Sequence, residues 1–273
     1  MNDLTTEVKK LEIETLDNLK LSKAKNTIRA YKSDFNDFAL FCTKHNLKSL
    51  PSDPKIVSIY LTHLSKNSKF STLKRRLASI NMMHRYKGHY LDTKHPIIVE
   101  NLIGIKRRIG VYQKAKKPLL FNDIKAIIKQ IDQSSGNSSK KQRDKALILV
   151  GFAGGFRRSE LVSITKEDVE FVKEGVKIFV KKSKSDQSGE GMTKAIPSFK
   201  YNDYCPVENL RLWMFENRND RIFAISDKNV ALIIKKYALQ AGFDDKKYAG
   251  HSLRSGFATT TAESGASERN IMA

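Results

Sequence analysis

Residues 154–171, GGFRRSELVSITKEDVEF, take the chain out of one helix, through a second helical turn and into a strand. Gly154-Gly155 frees the backbone to leave the first helix, because glycine adopts conformations closed to other residues. Arg157 then stands three residues before Glu160, on one face of a helical turn spanning 157–163. Upstream, 142–153 reads as an apolar helix. Downstream, 168–172, 176–181 and 193–196 are short β-branched runs that predict a small antiparallel sheet, with SKSDQSGEG (183–191) as its hairpin connection. Helical periodicity returns over Pro206–Glu216, Asp227–Gln240 and His251–Glu263.

The first 110 residues read as a set of helices. Ser22 is an expected N-cap, and Ile28, Tyr31, Phe35, Phe38 and Cys42 follow at helical spacing. A second helix starts at Asp53-Pro54, with Ile56, Ile59, Tyr60 and Leu64 expected inside. A third is expected to begin after a cap at Ser71; Leu73, Leu77, Ile80 and Met83 oppose a row with Lys74, Arg75 and Arg76, and Gly88 ends it. A fourth, 96–109, finishes on Lys106, Arg107 and Arg108, where cations also suit the helix dipole. GVYQKAKKP (110–118) is short, basic and poor in apolar residues, as a linker is. Beyond it Asn122 is expected to cap a helix through Ile131, and QSSGNSSKK (133–141) reads as a loop. The fold class is therefore mainly α with a small antiparallel β-sheet: a helical domain over 1–110, a linker over 111–118 and an α+β domain over 119–273.

Composition narrows the function. The 273 residues are 40% hydrophobic, enough for real cores, and carry 50 lysines and arginines against 29 acidic residues, a net charge of +21. Residues 1–110 are net +11 and residues 111–273 net +10, so both halves are basic globular bodies. That balance favours a polyanion, most simply nucleic acid. Lysines outnumber arginines 36 to 14, a usage that an A·T-rich genome also produces. The longest apolar stretch, 146–156, is far shorter than the ~20 residues a membrane span needs, and the N-terminus lacks a signal-peptide core. Cys42 and Cys205 lie too far apart for a Cys-x-x-Cys site and read as reduced thiols of a cytoplasmic protein. No G-x-x-x-x-G-K-[ST] loop is present, so nucleotide-driven chemistry is not supported. No metal or cofactor is expected.

Three features can carry chemistry. Arg157 and Glu160 are one, although such a pair is also an everyday surface contact worth a few tenths of a kcal/mol. His251-Ser-Leu-Arg254 is the second: both side chains project from one face near a helix N-terminus, where an anion is favoured. The third is the hairpin VKIFVKKSKSDQSGEGMTKAIP (176–197), whose tip presents Lys184; hairpin lysines also serve as edge protection. Together, two guanidiniums, an imidazole and an ammonium suit a phosphoryl-transfer transition state. Arginine forks hold non-bridging oxygens, and a lysine can protonate the departing sugar oxygen.

The order and context of these segments resemble the tyrosine site-specific recombinases, the phage integrase family that includes Cre and the Xer proteins. GGFRRSELVSITKEDVEF is similar to the family's T-G-L-R-x-x-E-L segment, VKKSKSDQSGEGMTKAIP to its lysine hairpin, and AGHSLRSGFATTTAESGASERNIM to its H-x-x-R helix and the start of the next. RRLASINMMHRYKG resembles a DNA-contacting helix of the core-binding domain. The resemblance implies a helical core-binding domain followed by a catalytic domain. Arg157 and Arg254 would clamp the phosphate, Lys184 (with Lys182 as the alternative) would be the general acid, and His251 a phosphate ligand and proton-transfer partner. Glu160 would orient its neighbours. Lys74, Arg75, Arg76, Arg107, Arg108, Arg158 and Lys182 would contact DNA, without the sequence choosing the base-reading ones.

Gly154 and Phe156 replace the family's usual threonine and leucine. None of the nine tyrosines follows Arg254, so no nucleophile is assigned in this chain and the catalytic domain is expected to be C-terminally incomplete. The family's activity is strand cleavage and rejoining through a 3′-phosphotyrosine at a specific double-stranded DNA site, within a C-shaped clamp and a tetrameric synapse. This chain is accordingly expected to bind DNA in the cytoplasm, at the nucleoid, without cleaving it. A non-catalytic DNA-binding regulator and an RNA-associated basic protein are the alternatives.

Overall fold

The computed structural model describes residues 2–21, 24–111, 116–181, 190–199 and 202–265. The chain divides into two compact units, 1–113 and 114–273. The first is helical: α1 (Asn2–Leu21), α2 (Lys25–Lys44), α3 (Pro54–Leu64), α4 (Phe70–Tyr86) and α5 (Pro96–Ile109). Every described side chain of α1 is exposed. The core comes from the other four helices and includes Phe38, Cys42, Val57, Tyr60, Leu61, Leu73, Ile80 and Ile98. Phe38 meets Tyr60 edge to face at 5.0 Å, a favourable aromatic geometry.

Local chemistry fixes the helix starts. The Asp53 carboxylate accepts the Lys55 N–H at 2.7 Å and Pro54 supplies the first helical residue, so α3 begins where the sequence places it. Its inward face is turned from the expected one: Val57, Tyr60 and Leu61 are buried, whereas Ile59 is exposed. The expected cap at Ser22 lies outside the described residues. Helix α4 starts one residue before Ser71, with Lys69 as its N-cap and no capping side chain. Gly88, at φ +71°, lies just beyond its end as expected.

The second unit holds α6 (Phe121–Gln133), α7 (Ser138–Ala153), the short α8 (Arg158–Leu161), the strands β1 (Val169–Val172), β2 (Gly175–Val180) and β3 (Met192–Pro197), then α9 (Pro206–Glu216), α10 (Asp227–Gln240) and α11 (His251–Glu263). Helix α6 starts ahead of Asn122 because the Asp123 carboxylate reaches back to the Leu120 N–H at 3.0 Å. Helix α7 begins inside the polar segment read as a loop, since the Asn137 side chain accepts the Lys140 N–H at 2.9 Å. Its apolar half, 146–152, is buried throughout at the centre of the unit. The sheet is an antiparallel meander in the order β1-β2-β3, with Val169 opposite Ile178 and Ile178 opposite Lys194.

The chain enters this unit along α11. The Lys117 N–H donates to the Lys247 carbonyl at 2.8 Å and the Leu119 N–H to the Ser252 carbonyl at 3.0 Å. A β-carbon at Gly256 would lie 1.8 Å from the Leu119 carbonyl oxygen, so only glycine permits this approach. Among the described residues, no helix is long and apolar enough to cross a membrane.

Candidate active site

The turn between α7 and α8 builds the site. Gly155 sits at φ +56°, with its α-carbon facing the Phe257 ring; a β-carbon there would come within 2.7 Å of that ring. Glycine thus supplies both the left-handed backbone and the space. Phe156 is buried, and Arg157 caps α8. The Glu160 carboxylate, with 2% of its side chain exposed, accepts the Arg157 N–H at 2.9 Å and its Nη1 at 2.6 Å. The i,i+3 pair read from sequence is therefore an inward ion pair, with Arg157 itself 22% exposed. Burying a carboxylate is costly unless it is paired and hydrogen-bonded, as here.

Helix α11 brings the second arginine to the same turn. Arg254 Nη1 donates to the Gly155 carbonyl at 2.7 Å. Burial, then the nearby Arg157 charge, weaken its hold on its proton, while Glu160 opposes them. Three expected residues (Arg157, Glu160 and Arg254) thus converge. His251 is the first residue of α11, one turn before Arg254, and is exposed. Arg158 packs across Gly250, at the N-terminus of α11, with its Cδ where a β-carbon would go. Lys182 and Lys184 lie outside the described residues.

A residue not singled out from the sequence joins this group. Lys194 in β3 is half-buried, with Nζ 5.7 Å from the centroid of the Phe156 ring. Burial, then the Arg254 charge, push its proton affinity below that of an ordinary lysine; Glu160 opposes and Arg157 adds to the depression. Its signal in the sequence was strand alternation: it shares a face with Met192 and Ile196.

The basic residues of the first unit have mixed surroundings. Lys74 and Arg107 are exposed. Arg75 is ion-paired with the buried Asp34 while keeping 48% of its side chain exposed. Arg76 is only 17% exposed and lies between Asp34 at 3.3 Å and Asp37 at 3.4 Å. Arg108 Nη2 donates to Ser65 Oγ at 2.7 Å.

The first unit is helical, and in the second the turn before α8 and helix α11, the last helix among the described residues, bring Arg157 and Arg254 together. Residues 117–273 match the Phage integrase family, and residues 14–89 match its N-terminal SAM-like domain. The chain belongs to the phage integrase family, the tyrosine recombinases. An integrase/recombinase XerD homolog of Selenomonas ruminantium is 37% identical over 271 residues, covering 93% of this chain and 79% of that protein. Tyrosine recombinase XerC of a Staphylococcus aureus strain is 25% identical over 273 residues, covering 94% of this chain and 84% of that protein. A lambda integrase (residues 75-356) dimer bound to a COC' core site has the same fold, with a TM-score of 0.61 at 15% identity over 95% of this chain and 91% of that one.

Proposed function

We propose that this chain binds duplex DNA at a specific recombination site and holds the scissile phosphate between Arg157 and Arg254. The supporting observation is the hydrogen bond from Arg254 to the Gly155 carbonyl, which sets its guanidinium beside Arg157 and Glu160. Two guanidinium forks can hold non-bridging phosphate oxygens and stabilise the charge that develops on them. Glu160 fixes the direction of Arg157. His251, at the exposed start of α11, is a phosphate ligand and a proton-transfer partner in the reaction.

In the recombination step a tyrosine hydroxyl attacks phosphorus and passes its proton to His251, the bond to the 5′ oxygen breaks, and Lys184, or alternatively Lys182, protonates that oxygen. The 3′-phosphotyrosine conserves the phosphodiester for rejoining, so no nucleotide hydrolysis is required. Lys74, Arg75, Arg107 and Arg158 contact backbone phosphates, and Arg76 and Arg108 do so while also bracing their helices. The domain assignment is a core-binding domain over 1–110, a linker over 111–118 and a catalytic domain over 119–273. Assembly on DNA is tetrameric, by analogy with the lambda integrase tetramer bound to a Holliday junction, and the protein works in the cytoplasm.

Covalent trapping on nicked duplex DNA tests this reading. The 273-residue chain, in which no tyrosine follows Arg254, is expected to bind and leave no adduct, and a chimera that adds a tyrosine-bearing C-terminal segment of a recombinase relative to form one. In that chimera Arg157→Ala or Arg254→Ala should lower adduct formation at least a hundredfold while duplex affinity changes only a fewfold, because many phosphate contacts share binding. An adduct on the 273-residue chain, adduct formation by the chimera that ignores both arginine substitutions, or equal affinity for RNA would overturn it.

A further inference from the structure

Arg157 and Arg158, adjacent in sequence, have different neighbours. Arg157 bonds to Glu160, whereas the half-buried Arg158 lays its methylene stem across Gly250, the buried residue immediately before α11. A β-carbon on Gly250 would lie within 2.6 Å of Cδ, Cγ and Nε of Arg158, the nearest atoms to that position. Only glycine leaves the stem this room. Charge does not explain the contact, because a guanidinium at a helix N-terminus opposes the helix dipole. The stem does: long cationic side chains bury their methylenes against neighbouring surface and keep the charged head in water.

Helix α11 is also held to the α7–α8 turn by the hydrogen bond from Arg254 to the Gly155 carbonyl and by Phe257, whose ring faces Gly155. Both contacts lie beyond its first residue. That residue is the exposed His251, and Arg158 meets the chain just before it. We propose, resting on the phosphate-clamp reading above, that Arg158 is a positioning residue: its stem braces the start of α11 against α8 and so sets His251 at the phosphate that Arg157 and Arg254 hold. One short turn thereby carries a phosphate ligand in Arg157 and, in Arg158, the brace of the helix that carries the other two. The charge beyond the stem acts on duplex phosphates, so stem and charge have separable roles.

The test is NMR titration of the histidine-labelled 273-residue chain with inorganic phosphate, the His251 ring signals being assigned by their loss in His251→Gln. In the wild type these signals are expected to move saturably. Arg158→Ala, and Gly250→Ala, which expels the stem, should each weaken phosphate binding about tenfold, since displacing a positioned ligand is costly. The double variant should be no weaker than either single one, because both remove the same contact. Arg158→Met keeps the stem without the charge. It should bind phosphate within about threefold of wild type, yet lose as much duplex affinity as Arg158→Ala. It also keeps the experiment decisive if an alanine variant folds poorly. Equal weakening of phosphate binding by Arg158→Met and Arg158→Ala would overturn the brace, since the charge would then be responsible. An unchanged His251 response in Arg158→Ala and Gly250→Ala, with Arg254→Gln still abolishing binding, would also overturn it and leave the clamp standing. If phosphate binding ignores Arg157→Gln and Arg254→Gln, the clamp reading itself fails and the brace has nothing to position.

Discussion

Glu160 accepts two hydrogen bonds from Arg157 and is almost completely enclosed, while Arg254 and Lys194 sit within its electrostatic reach. Truncating it leaves an inward arginine and a backbone N–H without their acceptor. Glu160→Ala is therefore expected to destabilise the protein by roughly 3 kcal/mol, as when one partner of a buried pair is removed. Glu160→Gln retains an acceptor and should lose about half as much. Urea denaturation followed by circular dichroism measures both; equal losses would mean that charge, not hydrogen bonding, dominates. At this scale the arginines and Glu160 were legible because i,i+3 spacing on a helical turn is a local property. Lys194 was not legible, because its inward orientation depends on which face of β3 the core covers. Nor was Asp34 legible as a buried residue. Its burial is made tolerable by Arg75, Arg76 and Ser79, more than forty residues away in α4.

Between elements, the side chain of His84 ties α4 to the start of α3. Nε2 accepts the Ser52 N–H at 2.9 Å, so the proton sits on Nδ1, which donates to the Ile80 carbonyl at 2.9 Å. The ring is fully buried and neutral, and desolvation holds its pKa below the ordinary histidine value of 6.5. Below pH 6.5 the unfolded chain gains a proton that the folded one refuses, so stability falls with pH until the lowered folded value is reached. Each pH unit within that window costs up to about 1.4 kcal/mol. The urea midpoint of the first unit should drop between pH 7 and pH 5.5. In His84→Gln this pH-dependent drop should shrink, whatever the variant's midpoint at pH 7; an unchanged drop would assign it to other groups. Element ends set by short-range caps, such as α3 at Asp53-Pro54, were legible in sequence. The start of α7 was not, because Asn137 caps it from within a stretch whose serines and glycine have the composition of a loop.

Taken as a whole, the molecule carries its excess charge evenly, net +11 before residue 111 and +10 from there on. If it covers about six or more phosphates, its duplex affinity should fall with added salt at a logarithmic slope of about −5 or steeper. Fluorescence anisotropy with labelled duplex between 50 and 200 mM salt reads that slope; a slope shallower than about −2 would mean that most of the charge is merely solvated. The two-part organisation was visible from periodicity, helical up to residue 110 and mixed with short β-branched runs beyond. The path of the chain beyond the linker was not visible, since it depends on backbone hydrogen bonds that no side chain announces. That path has a mechanical consequence. Lys117 is fastened to the turn before α11, and Leu119 to α11 itself. Tension reaching residue 116 from the N-terminal side is thus delivered to the helix bearing His251 and Arg254 before it can load α6 or the sheet, so the joint pulls on the arginine rather than on the scaffold.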